Sequence, residues 1–140
     1  MAGYLRQFAA GFGVEGIADH ERMPNTRSAL ALAEHARDRG RLHPLRAAVM
    51  EAHWRRAEDI ESPAVLAACA REAGLDPERA LAALADPEIL ARVDAMGAEA
   101  RRAGVTGIPT ILVGRRGVVG CQPYQAIAAA AEAEGARRRA

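Results

Sequence analysis

Three times in the middle of this chain a helix-capping residue is followed at once by proline: Ser62-Pro63, Asp76-Pro77 and Asp86-Pro87. Ser and Asp side chains accept hydrogen bonds from the first free N–H groups of a helix. Proline suits the first helical position, where its missing N–H is not needed. The device therefore predicts three helix starts. The first helix turns Val65, Leu66, Cys69 and Ala73 inward and ends at Gly74. The second is short, around Leu81 and Leu84; the third buries Leu90, Val93 and Ala100 and ends at Gly104.

Upstream, the apolar spacing predicts three more helices. Leu5, Phe8, Ala9 and Phe12 share a face of a short one over Tyr4 to Phe12, stopped by Gly13. Val14 to Pro24 keeps no period and reads as a loop. Asn25 stands where an N-cap is wanted, before a stripe of Ala29, Leu30, Leu32, Ala33 and Ala36 that closes at Gly40. A further helix runs from Pro44 to Ala57 with Leu45, Ala48, Val49 and Ala52 inward. No segment repeats another closely enough for a solenoid.

The chain has 140 residues, half of them hydrophobic with Ala prominent, 4% aromatic and 26% charged. That is enough for one domain, or a small domain with a subdomain, of soluble helical character. Lys+Arg number 19 against Asp+Glu 18, every basic side chain among them being Arg, so charge favours neither nucleic acid nor an anionic membrane. No apolar run approaches the ~18 residues of a membrane span, and Met1-Ala-Gly-Tyr-Leu-Arg is not a signal peptide. The expectation is a cytoplasmic protein.

After Gly104 the texture changes. Ile108 to Val113 is a β-rich apolar run, Gly114-Arg115-Arg116-Gly117 a turn, Val118-Val119 the start of a second strand, and Pro123 to Glu134 a final helix. Arg137-Arg138-Arg139 reads as a solvated tail. Pro109 lies just inside the first strand, where a missing N–H is normally unwelcome, so it marks an edge strand or a cis bond.

Gly107-Ile108-Pro109-Thr110 resembles the cis-proline loop of thioredoxin-fold proteins. The longer string from Ala103-Gly-Val-Thr-Gly-Ile-Pro-Thr110 through Val119-Gly-Cys-Gln-Pro-Tyr124 is similar to the end of the DsbA-like family, nearest its FrnE-like cytoplasmic branch. Pro24-Asn-Thr-Arg-Ser-Ala-Leu30, Asp59-Ile-Glu-Ser-Pro-Ala-Val-Leu66 and Ala73-Gly-Leu-Asp76 resemble that family's helical insertion. The same landmarks occur in 2-hydroxychromene-2-carboxylate isomerases and kappa-class glutathione transferases.

The resemblance implies a mostly α chain with a small β-hairpin. Residues 1–103 would be a helical insertion, 104–136 the C-terminal β-β-α half of a thioredoxin-like α/β fold with its cis-Pro, and 137–140 a tail. It implies a thiol–disulfide oxidoreductase acting on a thiol or disulfide substrate. The backbone of Ile108 would pair with that substrate and Pro109 would shape the site, with Asn25 and Thr26 near the same cleft; for Asn25 a plain helix cap is the simpler reading. In this family the redox CxxC, or the Ser of the glutathione-dependent members, belongs to a first strand and helix that precede the residues matched here. The expectation is that the chain as given lacks that chemistry. A glutathione-dependent isomerase or transferase, with glutathione as its cofactor, is the alternative, and a non-catalytic binding or assembly module a third.

Cys69 and Cys121 form neither a CxxC nor a zinc pattern. Cys69 falls on an apolar helix face and reads as core. Cys121 precedes a helix start, where partial positive charge can lower a thiol pKa; it is the one candidate nucleophile, against the plainer reading of a small buried filler. His20, His35, His43 and His53 have no metal-ligand spacing, and His53 beside Trp54 reads as packing. Glu51, Glu58, Asp59 and Glu61, with Arg55 and Arg56 interleaved, read as a solvated face. No metal is expected. An open hairpin edge invites pairing with another chain, so a homodimer or larger oligomer is expected.

Overall fold

The computed structural model describes residues 2–20 and 23–137. Residues 138–140, most of the predicted tail, lie outside the described residues. The helices are α1 (Ala2–Ala10), α2 (Arg27–Arg37), α3 (Leu42–Trp54), α4 (Pro63–Glu72), α5 (Pro77–Ala82), a 3-10 turn (Ala83–Ala85), α6 (Pro87–Arg102) and α7 (Tyr124–Ala133). Two strands, β1 (Thr110–Val113) and β2 (Arg116–Val119), stand between α6 and α7. The chain divides into two compact units, residues 1–94 and 95–140.

The first unit is a helical cluster with an alanine-rich interior. Leu32, Leu45 and Leu66 are its largest fully buried apolar side chains, with Cys69 beside them. Ala36, Ala52, Ala70 and Ala80 fill the spaces between, and short side chains let helices approach closely. Ala31, Ala83, Ile89 and Val93 form a second, smaller cluster. All three proline starts hold: α4, α5 and α6 begin at Pro63, Pro77 and Pro87. The Asp76 carboxylate accepts from the amides of Glu78 and Arg79, and that of Asp86 from Glu88 and Ile89. The Ser62 side chain accepts no such bond.

Three details depart from the sequence reading. Leu30 is exposed, while Glu34 and His35 are buried with Ala31 and Leu32. A buried carboxylate needs compensation. Glu34 receives it from Arg37 Nε at 3.0 Å and Arg92 Nε at 3.6 Å, and Arg92 also bonds Asp38 at 2.7 Å. The N-cap of α2 is Thr26, not Asn25. And α3 stops at Trp54, because Ala57 turns left-handed at φ 54° and the Glu58 amide closes back onto the Ala52 carbonyl at 2.9 Å.

The second unit is built on the β1–β2 hairpin, antiparallel with Thr110 opposite Val119 and Val113 opposite Arg116. Gly114 and Arg115 make its turn; Gly114 has φ 57°, as a two-residue hairpin turn requires. Helix α7 packs on both strands and is tied to the turn through Glu134. Its carboxylate accepts from the Arg115 amide at 3.3 Å and Arg116 Nε at 3.2 Å. Ile111, Val113 and Val118 alternate onto one face, and Thr110, Leu112 and Val119 onto the other. The second face is the barer: Leu112 is 54% and Val119 46% exposed. The result is mostly helical, with one small hairpin followed by a helix, as the sequence implied.

Candidate functional site

The loop that leads into β1 is fixed at both ends. Helix α6 closes on Gly104, whose φ of 74° lets the Val105 amide reach back to the Ala100 carbonyl at 3.0 Å. At the other end the Thr110 hydroxyl donates to the Gly107 carbonyl at 2.5 Å, spanning Ile108 and Pro109. The Ile108–Pro109 peptide bond is cis. Gly107 sits so close to β2 that a Cβ there would meet Val119 Cγ1 at 3.4 Å.

Across the hairpin, the Gly120 amide donates to the Pro109 carbonyl at 2.8 Å, extending the ladder one step past Thr110–Val119. Bonded and non-bonded pairs alternate in an antiparallel ladder. The register therefore turns the backbone groups of Thr110 and Leu112 away from β2, onto an edge with no further strand among the described residues. Ile108, just before this edge, is 91% exposed. An apolar side chain held so bare on a fixed loop is suited to an extended peptide, with main-chain bonds for affinity and the side chain for contact.

Cys121 follows Gly120 directly, so the structure brings Ile108, Pro109 and Cys121 to one end of one hairpin. Cys121 is exposed, which corrects the expectation of a buried filler. Cys69 is fully buried, as expected of core. Burial, with the Glu72 carboxylate adding to it, pushes its thiol pKa up, so it is a poor source of thiolate. Asn25 belongs to the other unit. Its side-chain oxygen accepts from the Arg27 amide at 2.9 Å, and its own amide donates to Glu61 Oε1 at 2.8 Å. Its local role is to shape the chain entering α2.

No group of three or more His, Cys, Asp or Glu among the described residues is arranged to hold a metal ion. No helix among them is long and apolar enough to cross a membrane. One cluster escaped the sequence reading. His20 stacks on His53, with ring centroids 3.9 Å apart and planes at 21°, and both meet Trp54 edge-on. The adjacency of His53 and Trp54 hinted at it, but nothing near His20 did.

The DSBA-like thioredoxin domain model matches residues 1–132. Among solved structures, the crystal structure of a probable DsbA oxidoreductase from Streptomyces coelicolor is similar, with a TM-score of 0.77 and 30% identity. The match covers 99% of this chain and 61% of that one, so this chain spans under two thirds of its length. No curated protein matches.

Proposed function

The chain belongs to the DSBA-like thioredoxin domain family, and on that footing we propose that it contributes the substrate-holding face for thiol–disulfide exchange. An extended segment of substrate lies along the outer edge of β1, pairing with the backbone near Ile108, while Pro109 sets the shape of the loop. The observation that carries this reading is Ile108: 91% exposed, on a loop clamped by the Thr110–Gly107 and Gly120–Pro109 bonds.

In exchange, a thiolate attacks one sulfur of a disulfide, a mixed disulfide forms, and the other sulfur leaves as a thiolate. A second thiol must then resolve the mixed disulfide. Cys69 is buried and Cys121 has no neighbouring cysteine in sequence, so these two do not serve as the exchanging pair. The free edge of β1 also supports self-association, a second copy pairing strand to strand. A monomeric mass by light scattering at tens of micromolar would count against that part.

The test is amide chemical-shift mapping of the chain with an extended peptide carrying a disulfide, run in parallel with glutathione. Shifts at Gly107 to Ile111 and Val119 to Gln122 with the peptide are expected. Shifts elsewhere, or none at millimolar peptide, overturn the reading. The same shifts with glutathione alone favour the glutathione-dependent isomerase or transferase. A protein-disulfide reduction assay completes it: the wild-type chain should match a buffer blank. Activity that Cys121→Ala removes would instead make Cys121 a nucleophile.

A further inference from the structure

Residues 14–20 form no regular element, yet two contacts fasten them to the end of α3. The Ala18 amide donates to the Trp54 carbonyl at 2.7 Å, and the His20 ring lies flat on that of His53 at 3.9 Å. His53 is only 6% exposed. His20 Nε2 is buried, with no hydrogen-bond partner among the described residues. A pocket of about 280 Å³ opens beside the rings, its lining including Asp19, His20, His53, Glu58 and Asp59. That is room for water, and so for protons, to reach them.

We infer that the His20–His53 stack is an acid-released latch that holds residues 14–20 on α3. The closed arrangement is suited to neutral rings. A proton on His53 would charge a ring already removed from water and stacked face to face on a second imidazole. Two imidazolium rings at this separation repel each other with no water between them. Burial, and the neighbouring His20 ring, already hold the His53 pKa down.

The carboxylates beside the rings have partners of their own. The Asp19 carboxylate is taken by Arg6 at 2.8 Å and that of Glu58 by Arg56 at 3.0 Å; Asp59 Oδ1 accepts from the Glu61 amide at 3.0 Å. From the C-cap of α3 the Arg55 guanidinium reaches over Gly16 and adds positive charge to this segment. The open form, with the His53 ring in water, therefore takes up a proton that the closed one resists. Acid shifts the equilibrium toward it.

Trp54 is the single tryptophan, and its indole touches both rings, so its fluorescence reports their protonation. Amide exchange at Ala18, corrected for its intrinsic pH dependence, reports release. The amide of Ala73, bonded to the Cys69 carbonyl at 3.0 Å, reports the core. Between about pH 8 and about pH 5 the Ala18 protection factor should fall by about tenfold or more, and by clearly more than that of Ala73, which follows global stability alone. In His20→Phe, which keeps a flat ring but cannot take the charge, Ala18 protection should stay level. His20→Tyr replaces it if His20→Phe weakens Ala73 protection at pH 8. Three results overturn the latch: Ala18 protection that ignores pH, a variant that follows the wild-type curve, or Ala73 protection falling in step with that of Ala18.

Discussion

The Gly120 amide bonds the Pro109 carbonyl at 2.8 Å, with Cys121 as the residue that follows the donor and Ile108 as the residue that precedes the acceptor. This single bond brings the chain's one exposed thiol to the same hairpin end as the most exposed large apolar side chain among the described residues. A chromogenic disulfide reagent should therefore titrate one thiol in the native protein and both after unfolding. Cys121→Ala should abolish the native signal, and Cys69→Ala should leave it. Reaction of both thiols at native rates would contradict the burial of Cys69.

The two types of proline-led helix start should separate on truncation. Asp76→Ala removes a carboxylate that accepts two backbone amides, and should cost about 1 kcal/mol of stability in denaturant unfolding. Ser62→Ala removes a hydroxyl that caps nothing, and should stay within about 0.5 kcal/mol of wild type. Equal losses would mean that proline and local propensity, not the cap, set both starts.

Gly114 and Ala57 both have positive φ, with opposite consequences for substitution. At Gly114 a Cβ would strike the Glu134 carboxyl group as well as strain the turn, so Gly114→Ala should destabilise by about 1–2 kcal/mol. At Ala57 the strain is already present at φ 54°, so Ala57→Gly should be neutral to stabilising by up to about 1 kcal/mol. A midpoint that moves the other way in either variant refutes the assignment.

His35 and His53 are buried, and desolvation lowers the pKa of each below its ordinary 6.5. Below 6.5 the unfolded chain takes up protons that the folded one resists. Stability should thus be level above that value, and should decline as pH falls from it toward the depressed folded values. Urea midpoints at pH 8, 7, 6 and about 5, above the range in which ordinary carboxylates titrate, measure this. A midpoint that rises toward acid would reverse the sign.

Local chemistry explains what the sequence could announce. A cap and a proline act within a few residues, so the starts of α4, α5 and α6 were legible to the residue. Pro109 has no N–H to donate, and β1 begins one residue later, at Thr110. The end of α3 was missed because Ala57 occupies a conformation that sequence reading reserves for glycine. Buried Glu34 was missed because its partner Arg92 lies on α6, far along the chain from α2. The His20–His53 stack is likewise a meeting of distant residues with no shared period. At the site, Ile108 and Pro109 were visible through their short motif. The exposure of Cys121 depends on the hairpin's packing and was not.

Among the described residues, every apolar residue buried in the core falls between Ala31 and Val93, and the hairpin that carries Ile108 and Pro109 adds none to it. Under the proposed reading, recognition and folding are thus decided by different sets of side chains. Selection can retune recognition at Ile108, Leu112 or Val119 without disturbing Leu32, Leu45 or Leu66. Such a division of labour lets one scaffold diversify its targets while its interior stays fixed.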